Sequence, residues 1–359
     1  MISLTDIAAL RLFNQQITTK KFTSAKELVT WMGAMQAQDF PMAKLAVGTR
    51  LPNATDKMIE AALDKGEILR THLMRPTWHF VSADDIYWML ELTAPQIIAS
   101  MKFREKSLGL TNAILAKSAR VIEKALTPDN HLTRDELVAE LTKAKIRTDE
   151  NRSSHLLMRA ELEGLICSGK TNGKKQTYAL LEKRVAKKKT LDREKSMAVL
   201  AQRYFSSRAP ATVQDFSWWS GLSMTDARNA LETINSKLVA KTINGNTYWL
   251  SNSLSLPQKY DSIFLLPAYD EFLISYADRS ASIDKKHQTI SVSANGIFRP
   301  PIVIDGRVTG LWKRTIEKKN LLVETNFFRA HSKQEKYSIQ QTAEELGRFL
   351  GIKEVHCKF

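Results

Sequence analysis

Leu165-Ile166-Cys167-Ser168-Gly169-Lys170-Thr171-Asn172-Gly173-Lys174-Lys175-Gln176-Thr177-Tyr178-Ala179-Leu180 reads as a β-hairpin. Two short apolar runs, 165–168 and 177–180, flank a loop with an Asn-Gly pair, a strong short-range hairpin signal. Three lysines, Lys170, Lys174 and Lys175, crowd the tip. Upstream lie three helical patterns. Residues 111–126 stop short of Pro128, residues 132–144 open on a Thr133–Glu136 capping box, and residues 153–165 carry His155, Arg159 and Glu163 on their polar side. Three helices followed by a hairpin is the order of a winged helix, a variant of the helix-turn-helix.

That order occurs on both sides of this unit. Before it, residues 6–17 and 25–35 are amphipathic, with Thr23 or Ser24 capping the second run and Glu27 as capping partner. Residues 43–49 are short and mixed. A third helix starts at Thr55 or Asp56, and residues 69–81 favour strand with a turn. After it, helical runs at 192–206, 212–220 and 225–234 precede a second hairpin around Asn244-Gly245-Asn246, and a basic linker spans 183–189. What repeats is the order of elements, not the residues. From about residue 260 the pattern changes to strands, at 262–266, 271–276, 296–299, 301–304, 307–313 and 320–326, with a turn at Asp305-Gly306. A helix at 337–350 and a strand at Val355 close the chain, which suggests a small barrel or strongly twisted sheet. The expected fold is α+β, with three tandem winged helices at 1–107, 108–190 and 191–258 and a β-barrel-like domain at 259–359.

With 359 residues, 43 % of them hydrophobic, the chain is long enough for several cores. A net charge of +15 points to a polyanionic partner, nucleic acid before membrane. No apolar run reaches the ~18 residues of a spanning helix. The N-terminus shows no signal pattern, so a cytoplasmic, nucleoid-associated protein is expected. Cys167 and Cys357 are the only cysteines and make no Cys-rich site. His131, His155, His287, His331 and His356 show no ligand spacing, so no metal and no cofactor is expected.

Met35-Gln36-Ala37-Gln38-Asp39-Phe40-Pro41 is the main chemical candidate. Pro41 disfavours helix at Phe40, so a helix ending here in an extended exit aims Gln36 and Gln38 to one side, where two amides can hold a water or a phosphate. Asp39, its neighbour, points elsewhere and ranks below them as a base. In Arg75-Pro76-Thr77-Trp78-His79, His79 is either an orienting group or an imidazole packed on Trp78. Leu266-Pro267-Ala268-Tyr269-Asp270-Glu271 sets two carboxylates beside Tyr269, one of which could activate water; the other reading pairs Asp270 with an arginine such as Arg279 or Arg307. Lys170, Lys174, Lys175, Arg159, Arg307, Lys313 and Arg314 are the candidate DNA contacts.

These landmarks, together with Asp305-Gly306-Arg307-Val308-Thr309-Gly310-Leu311-Trp312, resemble those of the winged-helix DNA glycosylases, the AlkZ-like and YcaQ-like proteins, over nearly the whole chain. The resemblance implies a concave scaffold of tandem winged helices and a monofunctional, monomeric enzyme on duplex DNA. Such an enzyme removes alkylated purines, N7-alkylguanine adducts and interstrand crosslinks among them. It also implies that Gln36 and Gln38 are the catalytic pair. The YcaQ-like branch has aspartate at the second position, so Gln38 places the chain with the AlkZ-like branch. Ala37 is smaller than the usual central aliphatic residue. The competing reading is a non-catalytic winged-helix DNA-binding protein or regulator.

Overall fold

The computed structural model describes residues 3–186, 188–252 and 262–359. The expected boundary at 258–259, and Lys187 of the basic linker, lie outside them. In chain order, α1 (Leu4–Asn14), α2 (Ala25–Met32) and β1 (Ala34–Gln36) lead to α3 (Phe40–Thr49) and α4 (Asp56–Asp64). The hairpin β2 (Ile68–Leu73) and β3 (Thr77–Ser82) follows, then α5 (Ile86–Ser107), α6 (Asn112–Leu126), β4 (Leu132–Thr133), α7 (Arg134–Lys143) and α8 (Arg152–Leu162). Next come β5 (Ile166–Ser168), β6 (Thr177–Leu180), α9 (Leu181–Arg184), α10 (Arg193–Arg208), α11 (Val213–Ser220), α12 (Met224–Ile234), β7 (Leu238–Ile243) and β8 (Asn246–Ser251). The C-terminal part holds β9 (Ile263–Leu265), α13 (Glu271–Ile274), α14 (Lys285–Ser291), β10 (Pro301–Ile304), β11 (Arg307–Glu317), β12 (Asn320–Phe327), α15 (Lys333–Leu350) and β13 (Glu354–Lys358).

The chain forms two compact units. One comprises residues 1–59 and 197–359, the other residues 60–196. The second unit contains the expected run of three helices and a hairpin. Thr133 and Glu136 form their capping box on α7, and Thr111 caps α6 by accepting from the Ile114 N–H. Leu126, Leu137, Leu156 and Ile166 sit in the common core of α6, α7, α8 and β5. Burying each such side chain contributes roughly 1.5–3 kcal/mol. The hairpin turns one residue later than its Asn-Gly pair suggests. Asn172 pairs across with Lys175, leaving Gly173 (φ +62°) and Lys174 as the central residues. A glycine with positive φ at the first central position is what a II′-type turn requires. In β7–β8 the loop is Asn244-Gly245, both with positive φ, the I′ pattern.

The first unit carries the five-stranded sheet, in the order β13-β12-β11-β10-β9. It is antiparallel except for β12–β13, which α15 connects in parallel. Helix α15 packs against both β9 and β13, the two edges, so the sheet curls around the helix as a half-barrel and stays open. The expected barrel is thus not closed.

Several elements differ from the reading of the sequence. Helix α2 stops at Gly33 (φ +74°), not near Pro41. Residues 43–49 are helical, because Pro41 lies in the first turn of α3, where its missing N–H costs nothing. Residues 271–276 are not a strand. Asp270 caps the short helix α13 by accepting from the Phe272 N–H at 2.8 Å. At 296–299 there is only a single bridge, between Val292 and Phe298. The 22-residue α5 has no counterpart among the expected elements. It carries Pro95 inside, and its buried residues do not form one clean stripe.

Gly48 fixes the approach of α3 to α15. A β-carbon there would stand 2.2 Å from Cε2 of Phe349, a ring that is itself buried. Gly48→Ala therefore lowers stability by about 1–3 kcal/mol despite alanine's better helix propensity. Chemical denaturation should show the loss, and Phe349→Leu in the same chain should recover part of it.

Candidate active site

The Gln36–Gln38 segment is shaped by its two ends. Gly33, in a conformation that favours glycine, ends α2 and turns the chain into β1. Asp39 then caps α3, its Oδ1 accepting from the Met42 N–H at 3.1 Å. Gln36 is buried, 4 % exposed, whereas Gln38 is exposed. Gln36 is thus enclosed by protein, whereas Gln38 lies at the surface.

Beneath the segment lies a buried ion pair. Glu271, 2 % exposed, accepts the Gln36 backbone N–H on Oε1 at 2.7 Å. Its Oε2 accepts from Arg208 Nη2 at 2.7 Å, from Trp219 Nε1 at 3.2 Å and from the Ser275 hydroxyl. Arg208, fully buried, donates from Nη1 to the Met32 carbonyl at 2.6 Å and from Nη2 to the Ala34 carbonyl at 2.8 Å. The guanidinium thus serves an end carbonyl of α2, a carbonyl of β1 and the carboxylate together. Burial pushes the Glu271 carboxyl up, but Arg208, Ser275 and the Gln36 N–H outweigh it and hold it down at about 2.

The two residues before Glu271 reach the far side of the segment. Asp270 forms a bidentate pair with Arg50, the C-cap of α3, with both N–H···O distances 2.8 Å. Arg50 also donates to Gln15 Oε1 at 2.9 Å. The arginine beside Asp270 is therefore Arg50. Arg279 donates to the Leu273 carbonyl, and Arg307 pairs with Asp284. A carboxylate so committed braces α3. Tyr269 holds a positive φ of 58°, an uncommon conformation for a bulky residue, just before the Asp270 cap of α13. Burial, then the charge of Asp39, raises the Tyr269 hydroxyl pKa. Burial lowers that of Arg314, with Asp39 and Asp56 pulling the other way. Asp39, Tyr269 and Arg314 therefore meet in one electrostatic neighbourhood beside Gln38.

The remaining candidates divide by whether their charge is committed. Lys170, Lys174 and Lys175 are exposed and have no ion-pair partner among the described residues. Below them the hairpin is anchored by the Lys170 N–H on His131 Nδ1 at 2.7 Å and the Thr171 N–H on Asp64 Oδ1 at 2.8 Å. Arg159 is paired with Glu163 at 2.7 Å and Glu105 at 3.3 Å, and Lys313 with Glu324 at 2.8 Å. Arg314 is half-buried, and its Nη1 has no hydrogen-bond partner among the described residues. His79 and Trp78 lie on β3 in the second unit, His79 buried with Nδ1 2.9 Å from the Thr77 carbonyl. Among the described residues no group of three His, Cys, Asp or Glu is placed to hold a metal, and no helix is long and apolar enough to cross a membrane. Arg208, Arg50 and Trp219 escape a reading of the sequence because their partners are far away along the chain. Gly33 was the available signal, as a helix stop.

Glu271→Gln leaves Arg208 buried without its counter-charge and should cost about 3–5 kcal/mol. Because folding lowers this pKa, the stabilisation is complete above the ordinary carboxylate value of about 4.3 and is lost as pH falls toward 2. Denaturant midpoints measured from pH 7 to 2.5 should fall less steeply for Glu271→Gln than for the wild type in that acid window. An equal slope would remove the carboxylate from this role.

A sequence model of the AlkZ-like DNA glycosylases matches residues 29–349. The interstrand DNA cross-link repair glycosylase of Streptomyces sahachiroi is 22 % identical over 326 residues, 86 % of each chain. The solved structure of the DNA glycosylase AlkZ from that organism superposes with a TM-score of 0.80 at 21 % identity, covering 99 % of both chains. That likeness extends to the mixed α/β architecture and the curled C-terminal sheet. With a family match spanning most of its length, this chain belongs to the AlkZ-like DNA glycosylase family.

Proposed function

We propose that the protein is a monofunctional DNA repair glycosylase that hydrolyses the N-glycosidic bond of alkylated purines in duplex DNA. N7-alkylguanine is the primary class of substrate, and interstrand crosslinks through the same position are a second. The observation that carries this reading is the Gln36–Gln38 segment, one amide buried and one exposed, on a backbone fixed by Glu271 and Arg208.

N7-alkylation makes the purine cationic and so a good leaving group. The bond from C1′ to N9 breaks with its electron pair going to the purine, which leaves neutral. The sugar passes through an oxocarbenium-like state, and a water oxygen bonds to C1′ while one of its protons goes to solvent. Such a reaction needs a positioned water and carbonyl dipoles facing the developing cation more than it needs a strong base. Gln36 and Gln38 supply carbonyls for both purposes, and Asp39, committed to capping α3, contributes a nearby negative charge.

In this reading three winged helices, at 1–107, 108–190 and 191–258, form the DNA-binding scaffold, with the C-terminal sheet beside them. The protein acts as a monomer on nucleoid DNA. The hairpin lysines Lys170, Lys174 and Lys175, with no carboxylate within ion-pair distance among the described residues, contact phosphates.

Gln36→Ala and Gln38→Ala should each slow single-turnover excision of 7-methylguanine about 10²-fold or more, roughly 3 kcal/mol of transition-state stabilisation. Duplex affinity should be nearly unchanged. The double variant should be little slower than the worse single one, since both groups act on one water. Asp39→Asn keeps a good helix cap and should have the smaller effect. Full activity in the double variant would eliminate the site and favour a non-catalytic DNA-binding protein.

Replacing Lys170, Lys174 and Lys175 together by Ala should weaken duplex binding equally on unrelated sequences and flatten its salt dependence. Fluorescence anisotropy at several ionic strengths reads both effects. An unchanged salt slope would place the phosphate contacts elsewhere.

A further inference from the structure

The second unit holds a polar cavity that the excision chemistry does not use. Two adjoining spaces, about 220 and 280 Å³, share Trp78, Arg134, Glu161 and Tyr178 as walls. Glu161 is 1 % exposed, and its hydrogen bond, to His72 Nδ1 at 2.5 Å, runs through Oε2. His155 also lines the first space, and its Nδ1 is buried with no hydrogen-bond partner among the described residues. Arg134 donates from Nη2 to the hydroxyls of Ser153 and Ser154, at 3.1 and 2.9 Å, and interacts with the Tyr178 hydroxyl. A guanidinium carries five donors, so N–H groups remain for a ligand. The Trp78 ring is held in place, with the His72 ring at 4.3 Å and the Arg70 guanidinium at 4.3 Å.

A buried carboxylate, a guanidinium with spare donors, an imidazole nitrogen lacking a partner and two aromatic walls together ask for a flat ligand with polar edges. We propose that this cavity binds guanine, through its Watson–Crick edge on Glu161 and its O6/N7 edge on Arg134. The carboxylate accepts and does not donate. Guanine presents N1–H and the 2-amino group side by side, two donors matching its two oxygens, whereas adenine offers one donor beside an acceptor. Guanine O6 and N7 are acceptors, the pair that arginine reads in a duplex. Trp78 and Tyr178 supply the apolar faces that hold an unstacked base. The base comes either from a free nucleotide or from a guanine displaced from its pairing in DNA.

The test is calorimetric titration of the full chain with GMP, inosine monophosphate and AMP, reading binding and not excision. GMP should bind at least about 10-fold tighter than inosine monophosphate, which lacks the 2-amino donor, and AMP should bind more weakly still. Glu161→Gln should weaken GMP about 10-fold and shrink its preference over AMP and inosine monophosphate, leaving the part that Arg134 contributes. Because it also disturbs the buried pair with His72, Arg134→Met serves as a second variant that leaves that pair intact, and should weaken GMP about 10-fold. Duplexes with a single bulged guanine or bulged adenine distinguish the sources. Displacement of GMP by the bulged guanine alone assigns DNA, and GMP binding without displacement assigns the free nucleotide. No binding of GMP or bulged guanine at millimolar concentration, equal affinity for GMP and AMP, or unaltered GMP affinity in Arg134→Met would each overturn the proposal.

Discussion

The buried pair between Arg208 and Glu271 governs the candidate site. A guanidinium removed from water is costly unless its charge and its N–H groups are satisfied. Here they are satisfied by the Glu271 carboxylate, the Ser207 and Ser275 hydroxyls and the carbonyls of Met32 and Ala34. The carboxylate in turn takes the Gln36 N–H. A main-chain segment tied at three points over five residues has little freedom to reposition its side chains. In the proposed reaction the amides act only through their placement, and this preorganisation is what would give them an effect on a barrier.

The tripeptide Tyr269-Asp270-Glu271 extends the same logic. Glu271 reaches the near end of the Gln36–Gln38 segment through Gln36, and Asp270 reaches the far end of α3 through Arg50. Both acidic residues serve as structural anchors. Acidic side chains elsewhere take up cations in a similar way. Arg159, Arg307 and Lys313 have their charges matched, while among the described residues no carboxylate lies within ion-pair distance of the hairpin lysines. The net charge of +15 is what remains even if each of the 38 acidic side chains matches one of the 53 cations, so the location of the unmatched cations is the informative quantity.

Much of this was legible in the sequence, and the parts that were not share a cause. Helices with capping boxes, such as α2 and α7, and hairpins with glycine turns were readable because their signals lie within a few residues of one another. Helix α3 was missed because Pro41 was weighed as a stop, when a proline in the first turn is a start. Helix α13 reads as strand by its apolar residues, and only the Asp270 cap and burial decide otherwise. In the site, Gln36 and Gln38 stand out locally. Their supports Arg208 and Trp219 do not, because no short-range pattern marks an arginine whose partner is 63 residues away. The true partner of Asp270, Arg50, is 220 residues distant, beyond the reach of any local reading.

These separations bear on synthesis. The main chain at Gln36 is held by an acid 235 residues downstream, and the carbonyl of Ala34 by an arginine 174 residues downstream. During translation the N-terminal helices emerge and form locally long before either partner exists. Contacts of such range close late, after the entropic cost of a very long loop has been met. A nascent or prematurely terminated chain that carries both glutamines but lacks residue 271 therefore has the proposed site in its sequence and not in its geometry. If the proposed site is the one that severs bases from DNA, incomplete copies lack its formed geometry, and the capacity to act arrives only with a nearly whole molecule.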